Sequence, residues 1–206
     1  MRKLMAVTFV SLDGVAQGPG GPDEDREGGF EHGGWAAPFI DDELIGVMRV
    51  TVERAGALLL GRRTYEEFAA TWPLADDPIG ARMNGLPKHV ASRTLGRADW
   101  RNTTLLEGDA ATAVPRLKAG DGGEIQVHGS IGLIRSLQEH GLVDAFQLMI
   151  CPVLVGSGKR LFGDGTVPAT LRPVRTEMTG RGVLVAEYAG AGALEHGAVG
   201  PETGNW

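Results

Sequence analysis

One cysteine, Cys151, is all the thiol chemistry that 206 residues contain. A single thiol excludes an intramolecular disulfide and any zinc site built on cysteine pairs. Its neighbours, LMICPVLV, are apolar, so the side chain reads as a small buried hydrophobe. Excess positive charge is missing as well. The net charge is -6, which speaks against a nucleic-acid partner, whose grip would rest on neutralising phosphates. A local basic pocket for a small anion is compatible with that balance. Long hydrophobic runs are also absent. The opening MRKLMAVTFVSLDG has a basic start and a short apolar run, and the polar SLDG ends it before a signal peptide's apolar region would be complete. No stretch approaches the roughly 20 apolar residues that cross a bilayer. The expectation is a cytoplasmic protein with no membrane partner.

Glycine, by contrast, is plentiful, at 32 residues. It gathers in the long loop GVAQGPGGPDEDREGGFEHGGW (14–35), in GEIQVHGSIGLI, and in the tail AGAGALEHGAVGPETGNW. Loops as long as the first are usually functional or disordered in a compact domain. Apolar content is ordinary for a packed globule, and the length suits one domain with a full core. The expected division is a domain over 1–190 and an irregular tail over 191–206, docked by Trp206. Between the glycine clusters, strands alternate with helices. Strands are predicted at 3–10, ALLLG, KHVAS, TTLLEG, EIQVHG and VDAFQLMICPVLVG, the last as one long strand or two. DDELIGVMRVTVERAG carries Leu44, Val47, Met48 and Thr51 at helical spacing, with acids in its first turn, Arg54 in its last and Gly56 as C-cap. TYEEFAATW is a short helix stopped by Pro73. A further helix falls within 109–119, interrupted by Pro115. SIGLIRSLQEHG is a helix with Ser130 as N-cap and Gly141 as C-cap. RPVRTEMTGRGVLVAEYA closes the chain as a hairpin turning at Gly180–Gly182. Such alternation predicts a mainly parallel sheet with helices on both faces and an antiparallel hairpin at its end.

In an open α/β sheet, ligands bind beyond the carboxyl ends of the strands. Four motifs fall there: SLDG after the first strand, GRRT after the second, SRT after the third and HGSIG after a later one. Ser130 and its flanking glycines open a helix, whose free N–H groups and dipole favour a phosphate. Thr64 opens a second helix. Arg62, Arg63 and Arg93 can add charge-assisted hydrogen bonds. Two phosphate-binding helix starts with arginines suit a dinucleotide carrying an extra phosphate. Each motif also has a plainer reading. Gly129 and Gly132 make a tight turn, arginines at strand ends are solvated, and Asp13 bonds its own backbone in a turn. The case rests on four motifs meeting at one edge of one sheet.

The order and spacing of SLDG, LLLGRRTYEEF, HVASRT, VHGSIGLIRSL and GLVDAFQLMICPVLVGSGKRLF resemble the dihydrofolate reductase-like superfamily. More closely, residues 3 to about 188 look like the reductase domain that forms the C-terminal half of the bifunctional riboflavin-pathway deaminase/reductase. The deaminase's zinc motif is not present. The resemblance implies the three-layer dihydrofolate reductase-like fold and NADPH as cofactor. It assigns the 2′-phosphorylated ribose to Gly61, Arg62, Arg63 and Thr64, and the adenine end to Ala91, Ser92 and Arg93. The pyrophosphate goes to His128, Gly129, Ser130, Ile131 and Gly132, and the nicotinamide to Ala6 and Thr8.

On the substrate side, Asp13 is the acid of the SLDG position and a candidate to bind substrate or place a proton. His32 is a second candidate proton donor. Phe30, Trp35, Lys159 and Arg160 are candidate substrate contacts, and no metal is expected. The loop's aromatics suggest a lid. In dihydrofolate reductases a carboxylate on the first helix binds the pterin. Counting back from GRRTY puts that place near the apolar Ile45, with Asp42 and Glu43 a turn away, which points away from folate reduction. The acidic loop sits poorly with a ribose-phosphate substrate unless Lys159 and Arg160 supply cations. The expected function is an NADPH-dependent reductase acting on a small heterocyclic or ribosyl-derived substrate, similar to 5-amino-6-(5-phosphoribosylamino)uracil reductase. A true dihydrofolate reductase and a non-catalytic nucleotide-binding module are the rivals. A homodimer is expected from the apolar FQLMICPVLV.

Overall fold

Apolar residues at period two, set between helices with polar first turns, give the chain its layers. The structure, a computed structural model, describes residues 1–203. Trp206, expected to dock the tail, lies outside them. In chain order the elements are β1 (Leu4–Ser11), α1 (Asp42–Arg54), β2 (Ala55–Gly61), α2 (Arg62–Thr71), α3 (Pro78–Gly85), β3 (Lys88–Ala91), β4 (Thr103–Leu105), α4 (Ala110–Ala119), β5 (Glu124–His128), α5 (Ile131–Glu139), β6 (Ala145–Cys151), β7 (Thr170–Met178) and β8 (Leu184–Gly192). The eight strands form one sheet in the order β4-β3-β2-β5-β1-β6-β8-β7. The first six in that order are parallel. β8 runs antiparallel to β6, and β7 antiparallel to β8. This is the mainly parallel three-layer α/β arrangement with a closing hairpin that the sequence led us to expect.

Alternation of side chains along the strands explains the layers. Leu4, Ala6, Leu59, Val127 and Leu148 pack against Val114 of α4 and Ile134 and Leu137 of α5. Met5, Val7 and Met149 point the other way, toward Leu44 of α1. Leu58, Leu60 and Val90 meet Val52 of α1, Tyr65 of α2 and Met83 of α3. Each fully buried aliphatic side chain contributes about 1.5–3 kcal/mol.

Several local expectations are corrected. α3 was not anticipated; Asp77 caps it by accepting from Ile79 and Gly80 N–H. Gly56 does not cap α1. The helix passes straight into β2, and a Cβ on Gly56 would lie 2.6 Å from the Gly123 nitrogen, so glycine permits a close strand approach. α4 is not interrupted by Pro115. One intrahelical bond is lost there, while Ala110, Ala113 and Val114 anchor the helix in the core. Ser130 stands at the N-cap position of α5 without capping it. At the other end of α5, Gly141 at φ +64° donates to Gln138 and Leu142 donates to Leu137, the paired bonds of a Schellman ending. The apolar FQLMICPVLV is no dimer surface over β6, because that strand lies between β1 and β8 with six of seven residues buried.

The connection leaving β2 turns toward β3, whereas that leaving β5 turns toward β6. The two strands are neighbours. Their carboxyl ends therefore form the switch point at which open α/β sheets take ligands.

Candidate active site

α2 and α5 both begin at that switch point. Gly129 and Ser130 hold φ of +55° and +56° and so turn β5 sharply into α5. The Ser130 hydroxyl accepts from the Gly61 N–H at 2.9 Å and donates to Thr64 Oγ1 at 2.8 Å, joining the two helix starts. This explains why its oxygen does not cap α5. Neither α2 nor α5 has a side-chain cap, whereas α1, α3 and α4 are capped by Asp41, Asp77 and Asp109. The uncapped first-turn N–H groups suit an anionic ligand. Arg62, Arg63 and Arg93 stand on the same cavity wall. Arg93 has no ion-pair partner among the described residues.

The cavity has a volume of ≈ 810 Å³. It runs from this edge past Val7, Thr8 and Phe9 of β1 to an inner chamber. Met48, Thr51 and Val52 of α1 meet Gln147 and Met149 of β6 there. Thr51 and Gln147 are each 3% exposed. Gln147 donates to Thr51 Oγ1 at 2.6 Å, and its carbonyl accepts from Arg54 at 2.9 Å. Arg54 is held in turn by Glu187 at 3.0 Å and Glu124 at 3.7 Å. Gln126 donates to the Thr51 carbonyl at 2.7 Å, and its side-chain carbonyl lies 3.0 Å from His128 Nε2. Burial pushes His128 down to about 4, so the imidazole is neutral at ordinary pH.

The loop between β1 and α1 forms the outer wall. Its hub is Gln17, 2% exposed. Gln17 donates to the carbonyls of Asp25 and Glu27 and accepts from the Lys159 N–H. Phe30 packs under the loop against Val15 and Gly158, and Trp35 donates to the Gln17 carbonyl at 2.7 Å. Four charges then close the wall. Lys159 Nζ lies 2.5 Å from both Asp25 and Glu27. Arg63 bonds Glu27 and lies 3.7 Å from Asp25. Arg63 and Lys159 hold the Glu27 carboxyl down at about 2. Glu24 also lines the cavity and accepts from the Gly20 and Gly21 N–H groups. Burial raises its pKa.

Of the residues singled out from sequence, the cavity wall brings together Thr8, Gly61, Arg62, Arg63, Thr64, Arg93, His128, Gly129, Ser130, Ile131, Gly132 and Lys159. The others lie elsewhere. Ala6 is fully buried on the α5 side of the sheet, as strand alternation requires. Ala91 packs on the core, and Ser92 caps its own turn by accepting from Thr94 and Leu95. Asp13 accepts from the Ser11 hydroxyl and from the Val155 and Gly156 N–H groups, which hold it at about 2. It is a strut between the end of β1 and the segment after β6. Arg160 donates to the Asp13 carbonyl at 2.5 Å and belongs to the same strut. His32 is exposed and sets its ring edge against Phe30 at 5.8 Å. Ile45 is 45% exposed, and α1 turns Met48, Thr51 and Val52 to the cavity instead. Sequence reasoning passed over Gln17, Thr51 and Gln147. Only the isolated polar residues in apolar runs, VAQGP and AFQLM, hinted at them.

An open α/β sheet with paired helix starts and arginines at its switch point has its candidate ligand site where this class of fold takes ligands. Within it, residues 2–185 match the model of the RibD C-terminal domain, and the chain belongs to that family. The uncharacterized protein YyaP of Bacillus subtilis (strain 168) is 30% identical over 136 residues, 64% of this chain and 72% of the relative. A protein of Shewanella sp. PV-4 named for riboflavin biosynthesis superposes with a TM-score of 0.65 at 19% identity, covering 92% of this chain and 99% of the other. The diaminohydroxyphosphoribosylaminopyrimidine deaminase/5-amino-6-(5-phosphoribosylamino)uracil reductase of Thermotoga maritima does so with 0.61 at 13% identity, over 92% of this chain and 57% of the other. At these identities the structural likenesses establish the fold. No helix among the described residues is long and apolar enough to cross a membrane. None of them forms a cluster of three or more metal-ligating side chains.

Proposed function

We propose that the protein is an NADPH-dependent reductase that transfers hydride to a small heterocyclic or ribosyl-derived substrate. The carrying observation is the pair of uncapped helix starts joined by Ser130 at the sheet's switch point. The residues present fit the cofactor. Arg62, Arg63, Arg93 and Thr64 would take the 2′-phosphate. The turn from His128 to Gly132 would take the pyrophosphate on backbone N–H groups, and Thr8 and its neighbours on β1 would line the nicotinamide. The cofactor supplies the hydride. The chain's own part is to bind, to orient and, through the Gln17-centred loop, to exclude water.

In this reading Asp13 acts as a strut rather than an acid, because its carboxylate is already bonded three times. His128 is neutral and serves as a wall. Folate reduction is disfavoured, since α1 presents Met48, Thr51 and Val52 to the cavity and no carboxylate. Loss of nicotinamide absorbance with a panel of pterins and aminouracils tests the proposal. Turnover with any of them supports it. Tight NADPH binding without turnover would favour the nucleotide-binding module.

A further inference from the structure

Resting on that reading, we infer that the substrate is an uncharged heterocycle with a carbonyl edge, read by Gln147, and that the phosphoribosyl class is excluded. Two independent observations carry this. The first is the state of the cations. A ribose phosphate would have to displace two carboxylates from Lys159, the wall cation not assigned to the cofactor, which is bonded by both Asp25 and Glu27. Arg63, engaged by the same two acids, and Arg62, paired with Glu66 at 3.1 Å, are assigned here to the cofactor's extra phosphate. Arg93, the remaining cation of the wall, stands after β3, at the edge assigned here to the cofactor's extra phosphate. The loop itself brings Glu24, Asp25 and Glu27 to this wall and α2 adds Glu67, so a phosphate entering beneath the loop meets carboxylates.

The second observation is the inner chamber. Its polar side chains are Thr51 and Gln147, set among apolar ones such as Phe9, Met48 and Met149. The orientation of the Gln147 amide is dictated by its neighbour. A guanidinium only donates, so the side-chain oxygen must face Arg54, and the NH2 group faces Thr51. That NH2 has two hydrogens, and Thr51 takes one of them. The other is available to a carbonyl oxygen or ring nitrogen of a bound heterocycle. Thr51 Oγ1 also donates to the Val47 carbonyl at 2.8 Å, which leaves Gln147 as the reader. The Arg54–Glu187–Glu124 cluster behind it keeps the amide from turning.

The test compares 5-amino-6-(5-phosphoribosylamino)uracil with its phosphate-free ribosylamino counterpart. Affinity of the full chain for each is measured calorimetrically, with and without NADPH. The expected result is that the phosphate-free compound binds at least as tightly. Asp25→Asn combined with Glu27→Gln should shift the ratio of the two affinities about tenfold toward the phosphorylated compound by freeing Lys159. Glu27→Gln alone should shift it in the same direction, and thermal melts confirm that both variants are folded. Gln147→Glu keeps the bond to Arg54 while removing the N–H donor, and should weaken the phosphate-free compound about tenfold. Tighter binding of the phosphorylated compound by the natural chain overturns the inference. So does an unchanged ratio in the folded double variant, or unchanged affinity in Gln147→Glu. Failure to bind NADPH would overturn the proposed reductase function instead, and the affinities measured without cofactor would still decide the substrate class.

Discussion

Ser130 is the residue whose removal tells most about how the site is held. Its hydroxyl pairs the Gly61 N–H and the Thr64 hydroxyl across 69 and 66 residues of sequence. Ser130→Ala deletes both bonds. The Thr64 hydroxyl can turn to another partner, but the partly buried Gly61 N–H is fixed at the end of β2 and is left unpaired. An orphaned donor of this kind costs about 1–3 kcal/mol. Ser130 also holds φ +56°, a conformation that costs a residue with a side chain about 1–2 kcal/mol. Ser130→Gly loses the same two bonds and relieves that strain. The glycine variant should therefore be about 1 kcal/mol more stable than the alanine variant, against the usual order inside regular structure. Urea unfolding of the three proteins, with equal slopes, measures both differences. NADPH affinity should fall in both variants, because the two helix starts are no longer tied. An alanine variant within 0.5 kcal/mol of the natural protein would refute the argument, as would a glycine variant less stable than alanine.

Gly129 holds φ +55° beside Thr64, so Gly129→Val should abolish cofactor binding in a protein that circular dichroism shows to be folded; retained affinity would place the site elsewhere. Lys88 is fully buried and donates to the carbonyls of Met83, Asn84 and Leu86 beneath the face of Trp100. Lys88→Met takes the ammonium from the buried Met83 and Leu86 carbonyls, while the Asn84 carbonyl keeps its bond from Arg101 at 2.9 Å, and should cost about 2–4 kcal/mol in urea unfolding. Burial holds His128 at about 4 against an ordinary value of 6.5. Between those values the unfolded chain binds a proton that the folded one does not, so stability from this group is complete above about 6.5 and declines as pH falls toward 4. His128→Asn should flatten the decline between pH 6.5 and 5, and an unchanged slope would contradict the assignment.

Much of the frame was legible because its signals are local. Asp41 ahead of two acids, with Leu44 and Val47 at helical spacing, specifies α1 without reference to anything distant. The Gly129–Ser130 turn and the arginines of GRRT were legible for the same reason, since they sit where strands end. α3 escaped because PIGARMNG is short and contains proline and two glycines, so its local signals argue for a turn. Its helix is fixed instead by Asp77 and by burial of Met83. The inner chamber was unreadable for a different reason. Gln147 lies in a run that reads only as buried strand, and its partner Thr51 is 96 residues away. Asp13 shows the converse. A carboxylate after a strand end looks reactive, yet the same position lets it satisfy two N–H groups of a loop that is distant in sequence. Composition could show that the 14–35 loop is acidic, but not that Asp25 and Glu27 would face Arg63 and Lys159.

The central claim is that the switch-point edge holds a 2′-phosphorylated dinucleotide. Calorimetric titration of the full chain with NADPH and with NADH, at one fixed salt concentration, tests it most directly. Arg62 and Arg63 are paired with Glu66 and Glu27, and those surface pairs must yield when the phosphate arrives. The net gain is then about one charge-assisted hydrogen bond, or about 1.5–3 kcal/mol. This predicts that NADPH binds about 10- to 150-fold more tightly than NADH. Equal affinity for the two cofactors would contradict the account.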